Sequence, residues 1–279
     1  MEFIELLKAI LFGIIEGITE WLPVSSTGHM IIVEHFVKLN VTEEFWKMFE
    51  VVIQFGAILA VVVLFWNKLW PFTTRKAKQG GICWKDGALD MWIKIIVACI
   101  PAAIVGVLFD DKIDELFYHP VPVAIALIVV GIIFIIVEST KGKHKPAITS
   151  IGQMSYKVVV LIGLFQLLAA VFPGTSRSGA TIVGALLIGV SRATAAEFTF
   201  FLAVPVMFGA SLLKIVKFMA AGVSVTGAEV VILLVGTFVA FIVSIFVIKF
   251  LMEYIKKHDF KVFGWYRIIL GILVLLILR

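Results

Sequence analysis

Long apolar runs separated by short polar stretches set the pattern of the chain from end to end. Runs near Phe49 to Trp66, Met91 to Phe109, Val121 to Val137, Phe198 to Val216, Val230 to Ile248 and Val262 to Leu278 approach the ~20 residues needed to cross a bilayer core. The pattern predicts about six transmembrane helices. Two further apolar segments, Phe3 to Val37 and Val158 to Val190, are interrupted in the middle by clusters of Pro, Gly and Ser. Irregular backbone at membrane depth is tolerated only where protein or a polar cavity surrounds it, so these read as re-entrant helical hairpins.

The two halves resemble each other. Gly13-Ile14-Ile15-Glu16 followed by Leu22-Pro23-Val24-Ser25-Ser26 lines up with Gly163-Leu164-Phe165-Gln166 followed by Phe172-Pro173-Gly174-Thr175-Ser176. Each hairpin is followed by three spans, an odd number, so a duplicated unit has to be inverted relative to its twin. The fold expected is therefore an all-α polytopic membrane protein, a single integral membrane domain over 1–279. Its repeats cover about 1–140 and about 150–279, and inverted repeats of this kind place a polar site where their broken helices meet.

Composition agrees with a membrane protein: 61% of residues are hydrophobic, 15% are charged, and the mean hydropathy is +1.10. The formal charge of +5 is no sign of nucleic-acid binding, because the basic residues gather in short loops. Such loops collect on the cytoplasmic side. Lys68, Arg75, Lys76, Lys78 and Lys85 form one group, Lys141, Lys143, Lys145 and Lys157 a second, and Lys256, Lys257 and Lys261 a third. The acidic loop Asp110 to Glu115 and the nearly neutral stretch around Glu43 and Glu44 fit outside. Alternation then has the first hairpin enter from outside and the second from inside, with both termini outside. Cys83 and Cys99 are isolated, which argues against a disulfide framework or a cysteine nucleophile. Glu2 and Glu5 precede an apolar run with neither a cationic start nor a small-residue cleavage site, so the N-terminus is expected to be retained.

Chemistry concentrates in the hairpin turns. Glu16 and Glu20 share a helical face, and their repulsion calls for a proton, a basic partner or a hard divalent cation such as Mg²⁺ or Ca²⁺. Ser25, Ser26 and Thr27 supply hydroxyls, His29 lies three residues beyond Ser26, and Gly28 would let backbone approach a ligand. Glu20 could polarise His29 or act as the base itself. In the second hairpin, Pro173-Gly174-Thr175-Ser176-Arg177-Ser178-Gly179-Ala180-Thr181 surrounds one guanidinium with small residues just where a helix restarts. Helix-start N–H groups and arginine both favour phosphate. A nucleophile, a base, a carboxylate pair and an arginine cradle amount to the equipment for phosphoryl transfer. The residues alone leave Ser26 and His29 both open as the attacking group.

Weaker signals admit structural readings. Glu50 and Gln54, four apart, suit helix packing as well as they suit substrate contact. Tyr266 and Arg267 read as an interfacial anchor or helix-end contact. Phe208-Gly209-Ala210-Ser211 suits close helix packing or the interface of a homodimer. Inverted repeats with midplane polar groups would also serve a secondary transporter.

The two long motifs, Glu16-x-x-x-Glu20 leading into Pro23 to His29, and Pro173 to Thr181, resemble those of the undecaprenyl-diphosphate phosphatase family of the bacitracin-resistance type. The resemblance extends over essentially the whole chain, through Phe49 to Gln54 and Tyr266-Arg267. It implies a membrane hydrolase, dependent on divalent cations, that converts undecaprenyl diphosphate to the monophosphate carrier of cell-wall precursors. It implies a multi-pass protein of the cytoplasmic membrane whose active site opens to the extracytoplasmic side. Carried over by motif, Ser26 would be the nucleophile and Glu20 with His29 its activating partners. Glu16 would be a metal or charge-balancing carboxylate. Arg177 would hold the diphosphate, helped by Ser176, Ser178 and Thr181.

Overall fold

The computed structural model describes residues 3–73, 83–140 and 145–278. The basic residues Arg75, Lys76, Lys78, Lys141 and Lys143 lie outside the described residues. The chain runs α1 (Phe3–Thr19), α2 (Ser26–Phe36), α3 (Glu43–Val52), α4 (Gln54–Leu64), α5 (Trp66–Leu69), β1 (Phe72–Thr73), β2 (Cys83–Trp84), α6 (Ala88–Phe117), α7 (Pro120–Thr140), a 3₁₀ turn (Ile151–Gln153), α8 (Tyr156–Val171), α9 (Arg177–Ile188), α10 (Arg192–Ala220), α11 (Gly227–Lys257) and α12 (Lys261–Ile277). The two strands form one small antiparallel hairpin. Both interrupted segments are helical hairpins, α1–α2 and α8–α9, broken where the Pro, Gly and Ser clusters fall.

Among the described residues, five helices are long and apolar enough to cross a membrane: Glu43–Leu64 (α3 and α4 together), α6, α7, α10 and α11. The molecule is a multi-pass, all-helical membrane protein. The sixth run expected from the sequence is α12, which is only 17 residues long. Its outer face is apolar, with Trp265, Ile269 and Leu276 exposed. That surface is stable against lipid and would be costly in water.

Small residues let helices approach closely, because lipid supplies no hydrophobic drive for helices to associate. α1 lies along α11 and α8 along α6, α4 packs on α10, and α7 packs on α12. At the α1–α11 seam, a Cβ on Gly13 would sit 2.5 Å from the Gly236 carbonyl oxygen, and one on Gly17 would sit 2.9 Å from that of Ala240. These contacts hold the face of α1 that carries Glu16 against the bundle. Gly17→Val should therefore push α1 outward, costing roughly 1–3 kcal/mol. It should lower the thermal midpoint in detergent together with activity, and an unchanged midpoint would show that the seam has slack.

Charge divides the ends of the bundle. Lys68 pairs with Glu197 at 2.7 Å where α5 meets the start of α10, and Lys85, Lys157 and Lys256 lie toward the same end. At the other end, Lys214 reaches Asp110 and Asp114, and Lys217 reaches Asp110 and Asp111. Cys83 and Cys99 are both free thiols. In the Phe208 to Ser211 stretch, Ser211 Oγ donates to the Val51 carbonyl at 3.2 Å, which places its far end inside the bundle, whereas Phe208 faces outward.

Candidate active site

The two hairpin turns share a backbone device. Ser25 has φ 73° and Ser176 has φ 67°, the only non-glycine residues with positive φ among the described residues. Ser25 Oγ accepts from the Gly28 N–H at 3.4 Å, and Ser176 Oγ accepts from the Gly179 N–H at 3.1 Å, so each serine caps the helix that restarts after it. A left-handed serine costs on the order of 1–3 kcal/mol and persists only where the surroundings fix it. The shared device also corrects the sequence alignment. Ser176 matches Ser25 and not Ser26, because the second turn holds one more residue. Ser26 and Arg177 consequently occupy the same place, the first residue of α2 and of α9.

These two helix starts converge on the end of α1. The Glu20 N–H still donates to the Glu16 carbonyl at 3.0 Å, so both acids ride on one continuing helical turn. Glu20 accepts from Ser26 Oγ at 3.0 Å through Oε2 and from Arg177 Nη2 at 2.9 Å through Oε1. Arg177 Nη1 donates to the Thr199 carbonyl at 2.8 Å, and its guanidinium carbon lies 6.0 Å from the Trp21 ring centroid. The remaining Arg177 Nε has no hydrogen-bond partner among the described residues. A cavity of about 190 Å³ opens beside this group, lined by Glu20, Ser25, Ser26, Thr27, Gln54, Gln166, Ser176 and Arg177. Ala102, Ala169, Ala170, Val206 and Met207 form its apolar side.

Glu16 is 1% exposed, and neither of its carboxylate oxygens has a hydrogen-bond partner among the described residues. Burying an uncompensated carboxylate is expensive. An unpaired pair of carboxylate oxygens one turn from a second acid has the donor chemistry a hard cation would use.

Sequence comparison places this arrangement in a known setting. The family profile described as bacitracin resistance protein BacA matches residues 9–273. The chain belongs to this family. It is 65% identical over 276 residues to undecaprenyl-diphosphatase 1 of Clostridium acetobutylicum, covering 99% of this chain and 98% of that protein. Identity is 59% over 276 residues to the undecaprenyl-diphosphatase of Desulfitobacterium hafniense, covering 99% of this chain and 97% of the other. With the undecaprenyl-diphosphatase of Enterococcus faecalis it is 58% over 277 residues, covering 99% and 98%.

Within this BacA-family bundle, the residues singled out by sequence divide into two layers. Glu20, Ser25, Ser26, Thr27, Ser176 and Arg177 face the cavity. Ser178, Thr181 and Gly28 lie behind its wall. Ser178 Oγ donates to the Glu20 carbonyl at 3.1 Å, and Thr181 Oγ1 bonds to the Arg177 carbonyl at 2.9 Å and to Thr199 Oγ1 at 2.8 Å. Gly28 packs against protein on its Cα side: a Cβ there would lie 2.9 Å from Leu127 Cδ1.

His29 is fully engaged away from Ser26. Its Nδ1 is 2.7 Å from the Ser25 carbonyl oxygen, which can only accept, so Nδ1 carries the proton. In the neutral ring Nε2 then accepts from the Tyr266 hydroxyl, at 2.7 Å. The hydroxyl of Ser26 is bonded to Glu20 instead.

Three further polar residues take positions that the motifs do not specify. Arg267, expected at an interface or a helix end, is completely buried and donates to the carbonyls of Pro23, Gly174 and Thr175. The available signal was its charge within an apolar run, which is a functional hypothesis by default. Gln166 lines the cavity, and its side-chain oxygen has no partner among the described residues. Only its alignment with Glu16 could have drawn notice. Glu50 accepts from the Tyr118 hydroxyl at 2.8 Å and borders a second cavity of about 820 Å³ that includes Lys38, Lys47, Lys214 and Lys217.

Proposed function

We propose that this chain removes the terminal phosphate of undecaprenyl diphosphate, releasing inorganic phosphate and the monophosphate lipid. The observation that carries this reading is one carboxylate, Glu20, accepting both from the Ser26 hydroxyl and from the Arg177 guanidinium. A nucleophile, its base and a phosphate-binding cation meet at one cavity wall, from segments far apart in the chain. The undecaprenyl-diphosphatase names of the relatives support the same substrate.

The diphosphate enters beside Arg177 and competes with Glu20 for its N–H groups, which frees one carboxylate oxygen. Ser26 Oγ attacks the terminal phosphorus while Glu20 takes the hydroxyl proton. The bond to the bridging oxygen breaks, and the lipid monophosphate departs with that oxygen. Water then attacks the phosphoserine, Glu20 returns its proton to Ser26 Oγ as the oxygen–phosphorus bond breaks, and the inorganic phosphate leaves carrying both hydrogens of the water. Arg177 and the N–H groups at the starts of α2 and α9 stabilise charge on the transferring group. His29, held at both nitrogens, orients the first turn of α2. The alanines and Met207 on the apolar side receive the first isoprene units, and the rest of the tail stays in lipid.

Glu16, together with Glu20, would hold a divalent cation. When bound, that ion would neutralise phosphate charge during transfer. A chelator should abolish phosphate release reversibly. Glu16→Gln should raise the cation concentration giving half-maximal activity by at least about tenfold. Unaltered cation dependence would remove Glu16 as a ligand.

In the arrangement we favour, two inverted units each supply one re-entrant hairpin and three spans, with α12 as the sixth span. The pairing α1 on α11 and α8 on α6, with α4 on α10 and α7 on α12, maps onto itself when the two units are exchanged. The first hairpin opens toward the acidic end of the bundle, away from the lysine-rich end, which supports an extracytoplasmic site. Phosphate release from a C55 diphosphate by the purified protein tests the reaction, because a transporter or flippase would move lipid without freeing phosphate.

A further inference from the structure

α12 presents two adjacent polar side chains that the proposed chemistry does not consume, and both reach the hairpin turns. Arg267 Nη1 donates to the Pro23 carbonyl at 3.2 Å, and Nη2 donates to the carbonyls of Gly174 and Thr175 at 2.8 Å each. The acceptors lie one or two residues before the left-handed serines, Ser25 and Ser176. The Tyr266 hydroxyl meets His29 Nε2 at 2.7 Å, and the two rings stack with centroids 5.6 Å apart and planes 9° apart. We infer that Arg267 and Tyr266 form a positioning clamp that locks the two turns in the register at which Ser26, Glu20 and Arg177 act on one anion.

A role in stability alone is a poor account of Arg267. No carboxylate lies within ion-pair distance of it among the described residues, and a buried guanidinium without one costs more than a hydrocarbon of similar volume. What a hydrocarbon cannot supply is a simultaneous grip on both turns. The guanidinium is a planar fork with fixed donor directions, so three carbonyls bound to it set the distance and angle between the turns. A lysine retains the charge but not the fork.

The clamp is braced from behind. A Cβ on Gly131 of α7 would lie 2.7 Å from the Gly264 carbonyl oxygen and 3.2 Å from Arg267 Cβ, and one on Gly264 would lie 2.8 Å from the Gly131 carbonyl oxygen. The two backbones thus meet one turn before Arg267, which leaves α12 no room to yield toward α7. A displacement of ~1 Å at reacting groups can cost about 10²-fold in rate, so bracing of this kind bears directly on turnover.

This inference rests on the phosphatase reading of the site, and its test separates the two. Full-length wild type, Arg267→Lys, Arg267→Gln and Tyr266→Phe are purified in detergent. Phosphate release from C55 diphosphate is measured alongside hydrogen–deuterium exchange over residues 22–29 and 173–180. Both Arg267 variants should lower kcat about 100-fold with KM changed far less, and should raise exchange in both turns together. Tyr266→Phe should raise exchange over residues 25–29 only and lower kcat several-fold. Absence of phosphate release from wild type would sink the phosphatase reading, while coordinated loosening of both turns would still establish the clamp. A folded Arg267 variant with wild-type kcat, or loosening of one turn alone, overturns the clamp. If neither Arg267 variant folds, Tyr266→Phe decides, and unchanged kcat with unchanged exchange over residues 25–29 overturns it.

Discussion

Ser26→Ala should release phosphate from a C55 diphosphate at least about 10³-fold more slowly than wild type, with an unchanged thermal midpoint. The reason is the pairing of this hydroxyl with a base. Ser26 Oγ is bonded to Glu20, whereas Ser25 Oγ is occupied in capping α2. Ser25→Ala should act differently, losing about 1 kcal/mol of stability through the cap. A chemical trap distinguishes serine from histidine as the attacking group. A phosphoryl group on Ser26 survives acid quenching, and one on His29 does not. The geometry favours serine, because His29 Nε2 already accepts from Tyr266. An acid-labile adduct, or Ser26→Ala with more than a tenth of wild-type turnover, would remove Ser26 from the attacking role.

Arg177→Ala should have two effects of separate origin. Turnover should fall about 10²–10³-fold as a preorganised cation is lost from the transferring phosphate. Stability should fall by about 3–5 kcal/mol, because Glu20 is left buried without its partner. Arg177→Lys should recover part of the stability and little of the rate, since one ammonium cannot reproduce the guanidinium's contacts with both Glu20 and the Thr199 carbonyl. The double variant Glu20→Gln with Arg177→Gln isolates the second effect: it should regain much of the thermal midpoint and none of the activity. If Arg177→Ala hydrolysed the lipid at the wild-type rate, the cradle would have to be sought elsewhere. If the double variant were no more stable than Arg177→Ala, the ion pair would not be what holds the turns at this point.

Much of the site was legible because ionisable groups are scarce in a membrane. Glu16, Glu20, His29 and Arg177 stand out against apolar neighbours, and the Pro, Gly and Ser clusters mark where helices break. The same scarcity marks Arg267, yet in sequence a tyrosine–arginine pair fits an interfacial anchor equally well. Gly28 is ambiguous in sequence for a different reason. Sequence shows that a side chain is missing, but not whether a ligand or Leu127 fills the space. The alignment of the turns slipped by one residue because both are rich in Ser and Thr, and only the positive φ of Ser25 and Ser176 fixes the match.

By itself the sequence determined the membrane setting, the broken hairpins, the family and the polar residues of its two motifs, since these follow from composition, local periodicity and motif. Tertiary structure alone decided which hydroxyl meets Glu20, which way His29 turns, and that Arg267 ties the two turns together. Those outcomes depend on Arg177, Tyr266 and Arg267 arriving from distant parts of the chain, set by how closely glycine-lined helices approach. No local pattern encodes that approach.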